Sequence, residues 1–307
     1  MAGVVAQING NPIWIHALFR SNPSRSSSPF SLPPLSWRKG KVTMSCKQSY
    51  LASINEGVKA HLKHAIPARE QLAVYEPMHY LTFAAPWNTA PALCVAACEL
   101  VGGNRNLALP TAAALHLMYA ASYTHENLPL QESCRPKSTI HHEYGPNIEL
   151  LTGDSIMPFG LEVLAKSDDP AQNISGRILR VTVEITRSVG SQGMIYGQYL
   201  EVESLQSNGC RSCHVEEIER VCEKYEGSLY ACAATCGAIM GGGSEEEIEK
   251  MRSYGLYAGK IQGMTNRVKG NDKDLVKLVE EMRGLAIKEL EGFDDAKVQA
   301  FSSFFLR

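Results

Sequence analysis

Thr124-His125-Glu126-Asn127-Leu128-Pro129-Leu130-Gln131-Glu132 closes a long apolar stretch, and its reading decides the fold. Immediately before it, Thr111 to Tyr123 is rich in Ala and Leu. Its polar faces are small, which predicts a helix at the centre of a bundle rather than on its surface. A helix end that carries clustered aspartates is suited to holding a hard divalent cation through oxygen. This helix end carries Glu126 and Glu132, with Asn127 beside the first, and no aspartate.

Working outward, helical spacing dominates. Gln48 to Ile66 places Leu51, Ile54, Val58 and Leu62 on one side. Pro91 to Val101 is a short apolar helix stopped by Gly102-Gly103, and Pro110 is expected at the start of the next one. Asn147 to Leu164, Ile174 to Val189 and Asp272 to Leu290 continue the pattern. Ser244 with Glu247 forms a capping box, and Glu245 and Glu246 suit the positive end of the helix that follows. Leu179-Arg-Val-Thr-Val-Glu-Ile185 alternates as a strand would, but helical spacing explains it equally well. Loops are expected at Ala84–Thr89, Leu130–Thr139 and Glu203–Cys213. No internal repeat is visible. The predicted fold class is all-α, a single helical bundle over residues 48–307.

The chain has 307 residues, 44% of them hydrophobic, enough for a sizeable core. The first acid is Glu56, and six of the 30 basic residues precede it: Arg20, Arg25, Arg38, Lys39, Lys41 and Lys47. From Glu56 onward, 24 basic residues face 32 acidic ones, a balance of −8. That excludes a nucleic-acid surface, which needs clustered positive charge. Residues 1–47 lack acids and are rich in Ser, Pro and Arg, as in Ser21-Asn-Pro-Ser-Arg-Ser-Ser-Ser-Pro29. They read as a disordered plastid transit peptide, with cleavage near Met44 to Lys47 and a chloroplast destination. A disordered tail on a cytosolic protein is the plain alternative. Val4 to Leu18 is too short and too interrupted for a membrane span. An odd cysteine count, nine, argues against a secreted disulfide scaffold.

The frame His125…Leu128-Pro129 resembles the aspartate-rich magnesium motif of trans-prenyl diphosphate synthases, whose plant form reads H-D-D-L-P-x-x-D. In such an enzyme an allylic diphosphate ionises, and magnesium ions held by two facing carboxylate-rich helix segments neutralise the leaving group. Cationic side chains hold the second diphosphate. Three parts of that machinery are altered here. Glu126, Asn127 and Glu132 replace the first aspartates. Ile261-Gln262-Gly263-Met264-Thr265-Asn266-Arg267 sets Thr265 and Asn266 where the second aspartate pair belongs. The G-K-R-x-R-P loop becomes Pro86-Trp87-Asn88-Thr89-Ala90-Pro91, so its three cations fall on Trp87, Asn88 and Ala90, and Arg135 is the nearest remnant of the arginines after the first motif. Other segments keep the outline. They are Tyr144-Gly145 with Leu150-Leu-Thr-Gly153-Asp154, Gly193…Gly197-Gln198, and Gly237-Ala-Ile-Met-Gly-Gly242. The resemblance runs from about Ser49 to the C-terminus and implies an isoprenoid synthase-type bundle without a catalytic residue of its own.

Two C-x-x-x-C pairs, Cys94/Cys98 and Cys232/Cys236, sharpen the likeness. With Met78-His-Tyr-Leu-Thr-Phe-Ala-Ala-Pro86 and His125-Glu-Asn-Leu-Pro-Leu130 they resemble the small subunits of plant heteromeric geranyl diphosphate synthases. The chain is identified as a member of that group. The resemblance implies that the four thiols serve association with a catalytic large subunit of geranylgeranyl diphosphate synthase type. That partner would supply the magnesium, and no cofactor is expected on this chain. Read from the residues alone, the thiols are buried core cysteines, with a zinc site at permitted spacing as the lesser alternative. Cys210-Arg-Ser-Cys213-His214 matches a haem attachment pattern, but it sits in a polar connection and reads as an ordinary loop or a redox-active thiol pair. His141-His142-Glu143 reads as surface polarity, since adjacent histidines diverge.

The expected function is therefore a non-catalytic subunit that steers a partner towards geranyl diphosphate. Two alternatives stand beside it. One is an active homomeric prenyl synthase that uses Glu126 and Glu132. The other is a thiol- or zinc-binding protein on the same bundle.

Overall fold

The segment in which strand-like alternation and helical spacing coincide is helix. In the computed structural model, Ser175–Val189 buries Ile178, Val181, Ile185 and Val189 along one stripe and leaves Leu179 and Val183 outside it. Three- and four-residue spacing, not two, matches what the core covers. The structure describes residues 7–8, 11–12, 36–66, 73–128, 142–208, 215–267 and 273–305. It divides into two units, Met1–Val42 and Thr43–Arg307. In the first, Gln7–Ile8 pairs antiparallel with Asn11–Pro12.

The described helices are α1 (Ser36–Ala65), α2 (Tyr75–Ala84), α3 (Ala90–Leu100), α4 (Arg105–Glu126), α5 (Pro146–Ala165), α6 (Ser175–Val189), α7 (Met194–Asn208), α8 (Val215–Cys222), α9 (Ser228–Gly241), α10 (Glu245–Arg267), α11 (Lys273–Lys288) and α12 (Asp295–Phe305). A π-helical turn, Glu223–Gly227, joins α8 to α9. The all-α expectation for the main unit holds. Among the described residues no helix is long and apolar enough to cross a membrane.

At the centre, α3 packs on both α9 and α4, and α9 packs on α10. All of α3 but Glu99 is buried, and small side chains make that possible. At Gly237 of α9 even a methyl group would drive into the Cys94 carbonyl of α3, so the two backbones touch where a larger residue would hold them apart. On the far side, Phe301 of α12 lies against Tyr254 of α10 with ring centroids 4.9 Å apart.

The local signals at helix ends are realised. The Ser244 backbone N–H donates to Glu247 Oε2 at 2.7 Å, and the Glu247 N–H donates to Ser244 Oγ at 3.3 Å, which completes the capping box. Gly242 closes α9 at φ +81°, a left-handed turn suited to glycine. Three boundaries differ from expectation. Pro110 lies inside α4, which starts at Arg105 with Asn104 Oδ1 accepting from the Asn106 N–H at 2.9 Å; the cap, not the proline, sets the start. Helix α7 runs on to Asn208, so the loop expected from Glu203 is helical over its first part. Helix α1 begins at Ser36, ahead of Gln48.

His116 in α4 is fully buried and stacks on Trp87 with centroids 4.0 Å apart. Its Nε2–H donates to the Thr82 carbonyl at 3.0 Å, since a carbonyl can only accept, and Nδ1 has no partner. Burial pushes its pKa down from 6.5 to about 4, against the opposing pull of the Thr82 carbonyl. Below 6.5 the unfolded chain binds the proton that the folded chain refuses. The stabilisation is therefore complete above pH 6.5 and is lost as pH falls from 6.5 to 4, on the order of 3 kcal/mol in all. Chemical denaturation across that range will show this slope, and His116→Phe will flatten it.

Candidate functional site

The two helix ends that should face each other across a metal are the C-terminal ends of α4 and α10. Glu126 closes α4, and its Oε2 accepts from the Tyr225 hydroxyl at 3.1 Å. Tyr225 belongs to the π-helical turn, and burial, then the Glu126 charge, pushes its phenol well up. One turn earlier on α4, Ser122 Oγ accepts from Gln198 Nε2 of α7 at 2.8 Å. Asn127 folds back, its Nδ2–H donating to the Tyr123 carbonyl at 2.8 Å. Glu132 and Arg135 lie outside the described residues.

On α10 the hydroxyl of Thr265 donates to the Ile261 carbonyl at 2.7 Å, and Asn266 Oδ1 accepts from Gln262 Nε2 at 3.2 Å. The next residue, Arg267, points inward. Its Nη1 lies 2.5 Å from Glu226 Oε1 and 3.7 Å from Cys222 Sγ. Its Nε lies 3.6 Å from Glu201 Oε1 of α7, and its guanidinium carbon sits 5.9 Å from the centre of the Tyr225 ring. Burial works against its charge, but Glu226, Cys222 and Glu201 outweigh burial and hold it protonated. This donor set does not fit a hard divalent cation. Magnesium wants several unengaged oxygens in octahedral order, and here an arginine already stands between the carboxylates. Among the described residues no three His, Cys, Asp or Glu side chains are grouped to hold a metal.

The loop expected to lose its cations has gained other contacts. Trp87 stacks on His116, Asn88 Oδ1 accepts from the Ala90 N–H at 2.9 Å, and Ala90 is buried. Thr89 Oγ1 is 2.8 Å from the Tyr230 hydroxyl of α9, which fastens the loop to the core.

The segments that keep the sequence outline meet one another. His125 Nε2 is 3.3 Å from both the Leu150 carbonyl and Asp154 Oδ1, and a Cβ at Gly153 would strike its ring. Gly197 lies against the backbone of Tyr225, where a Cβ would be 2.7 Å from the nitrogen. Gln198 reaches Ser122, and Gly237 meets Cys94. What is kept of the pattern is packing.

The four thiols line the seam between α3 and α9, all at least 97% buried. Cys232 Sγ and Cys236 Sγ are 3.7 Å apart, and Cys98 Sγ donates to the Asn104 carbonyl at 3.4 Å. Burial, then the Glu99 charge, pushes the Cys98 thiol up to about 12; burial also raises Cys94 and Cys236. Neutral, enclosed thiols are poor nucleophiles. They pack among this chain's own helices.

His142 is exposed, as its reading as surface polarity implies, and it pairs with a buried acid. Its Nδ1 lies 2.7 Å from Oε2 of Glu149, a carboxylate only 1% exposed. His141, Cys210, Cys213 and His214 lie outside the described residues. The π-helical turn was missed. Its available signal was the spacing Gly255, Gly259, Gly263 on α10: a Cβ at Gly255 or Gly259 would run into the carbonyl of Tyr230 or Glu226, and one at Gly263 into the Glu226 carboxylate.

Comparison with known proteins agrees with this geometry. The polyprenyl synthetase family matches residues 71–262. The chain is 51% identical over 260 residues to a chloroplastic heterodimeric geranylgeranyl pyrophosphate synthase small subunit 2 of Cannabis sativa, covering 84% of this chain and 91% of that one. Among solved structures, the geranyl diphosphate synthase small subunit of Antirrhinum majus superposes with a TM-score of 0.77 at 50% identity, over 84% of this chain and 98% of the other. A chain of the mint heterotetrameric geranyl pyrophosphate synthase gives 0.74 at 44% identity, over 84% and 99%.

The seam makes a direct prediction. Gly237→Ala should cost about 1–3 kcal/mol, because backbone rather than a flexible side chain must move. Gly284→Ala on α11 meets nothing within 4 Å and should be neutral or slightly stabilising. Denaturant titration of the two variants beside the parent checks the pair.

Proposed function

The chain belongs to the polyprenyl synthetase family, and from that premise we propose that it is a regulatory small subunit which does no chemistry alone. It binds a geranylgeranyl diphosphate synthase-type large subunit and steers the product towards geranyl diphosphate for monoterpene synthesis. The large subunit supplies both aspartate-rich motifs and the magnesium; this chain brings no cofactor. The observation that carries the reading is the partition within the site: packing contacts are kept while diphosphate- and metal-binding groups are replaced. The names of its relatives as small subunits support it, and the chloroplastic relative supports action in the plastid.

The rival reading, a homomeric synthase that uses Glu126, is disfavoured because Glu126 accepts from Tyr225, while Thr265 and Asn266 are engaged within α10. A thiol or zinc protein is disfavoured by the enclosure of Cys94, Cys98, Cys232 and Cys236.

A subunit needs a face. Leu179 and Val183 are exposed four residues apart on α6. We assign this apolar ridge to the large subunit, since a ridge of neighbouring exposed apolar side chains suits a partner.

The full chain, incubated with isopentenyl and dimethylallyl diphosphates and magnesium, is expected to be silent. Added to a plastid geranylgeranyl diphosphate synthase, it should shift product from the twenty-carbon to the ten-carbon diphosphate. Turnover by the lone chain would overturn the reading. Leu179→Glu combined with Val183→Glu should abolish co-elution with the large subunit and leave the chain's own unfolding transition in place.

A further inference from the structure

We infer that Arg267 is a built-in cation that takes over, within this chain, the task of a divalent metal: it neutralises the carboxylates between α7, the π-helical turn and α10 and ties them to α4. Four observations carry this. The guanidinium lies 2.5 Å from Glu226 Oε1 and 3.6 Å from Glu201 Oε1, so it serves carboxylates from two elements. It sits over the Tyr225 ring, whose hydroxyl holds Glu126 at the end of α4. It follows directly on Thr265 and Asn266, so the cation sits on the same helix end that has no carboxylates. Finally, Gly259 and Gly263 bring α10 so close to the π-helical turn that a Cβ at either would meet Glu226.

The chemistry follows from charge. Two carboxylates converging in a half-buried setting repel each other unless a cation joins them. A metal would do so only while bound. A covalently attached guanidinium does so permanently, with planar donors suited to carboxylates. The chain's four elements are thus held together with no ligand present, and an incoming metal ion meets a site already neutralised. This holds whether or not the chain pairs with a large subunit.

The test uses the full chain and manganese or magnesium chloride alone as probe. Arg267→Met should lower the melting temperature by about 10 °C, as expected for a broken buried ion pair in a chain of this size. Millimolar manganese should recover a substantial part of that loss in the variant and leave the parent unmoved. The double variant Arg267→Met/Glu226→Gln, with the orphaned carboxylate removed, should melt above the single variant and should not respond to metal. Loss of stability without metal recovery, or a double variant no more stable than the single one, would assign Arg267 a packing role and overturn the inference. A parent chain that manganese stabilises would overturn it too. If the single variant does not fold, folding of the double variant upholds the charge argument and its failure to fold refutes it. Enzymatic turnover enters none of these readouts, so their outcome is separable from that of the partner assay.

Discussion

Helices α3 and α9 approach until Gly237 lies against the Cys94 carbonyl, and much of the structure follows from that contact. Helices this close exclude large side chains, which is why α3 reads Ala-Pro-Ala-Leu-Cys-Val-Ala-Ala-Cys and α9 reads Cys-Ala-Ala-Thr-Cys-Gly along the seam. The cysteines fit there as small, polarizable, weakly polar groups, not as reagents. With α3 and α9 joined, α4 packs on α3 and α10 on α9. Glu126 and Arg267 then come to opposite sides of Tyr225. The placing of these two helix ends thus follows from packing several turns away.

That dependence explains why the chain could keep its fold while its chemistry changed. Contacts such as Gly153 on His125, Gly197 on Tyr225 and Gln198 on Ser122 are steric or locally hydrogen-bonded. They tolerate no added bulk but make no demand on metal ligands. The aspartate and arginine positions are the reverse: in the metal-bearing enzymes their charges are balanced by bound ligands. Without a bound cation, converging carboxylates would be a cost, and Asn127, Thr265 and Asn266 carry no charge at these positions. Trp87 and Ala90, where cations are expected, go further and join the core.

Much of this was legible in the sequence because it is local. The Ser244 capping box, the loop at Ala84–Thr89, the helical spacing of Ile174 to Val189 and the altered motifs each lie within one short window. What was not legible joins distant windows. The Glu201–Glu226–Arg267 cluster spans three elements, and the π-helical turn that presents Tyr225 and Glu226 is signalled only from a distance, by the glycine spacing on α10. Glu149 lies in the first turn of α5 and is buried against His142. Pro110 carries the usual signal of a first helical turn, yet the Asn104 cap begins α4 earlier, and the helix tolerates a proline because packing on α3 and α5 outweighs one missing hydrogen bond.

The thiols sharpen the question of how such a subunit could act on a partner. In the chain alone Cys94, Cys98 and Cys236 are fully enclosed along the α3–α9 seam and Cys232 is 3% exposed. Any effect of these thiols on association would be read through geometry: a bulkier or more polar residue at Cys94 or Cys236 would spread the seam, displace α4 and α10, and with them the neighbouring helices. The exposed ridge of Leu179 and Val183 rides on α6, which packs against α9. Loss of association on changing a buried cysteine would report helix spacing, and need not mean that sulfur touches the other chain.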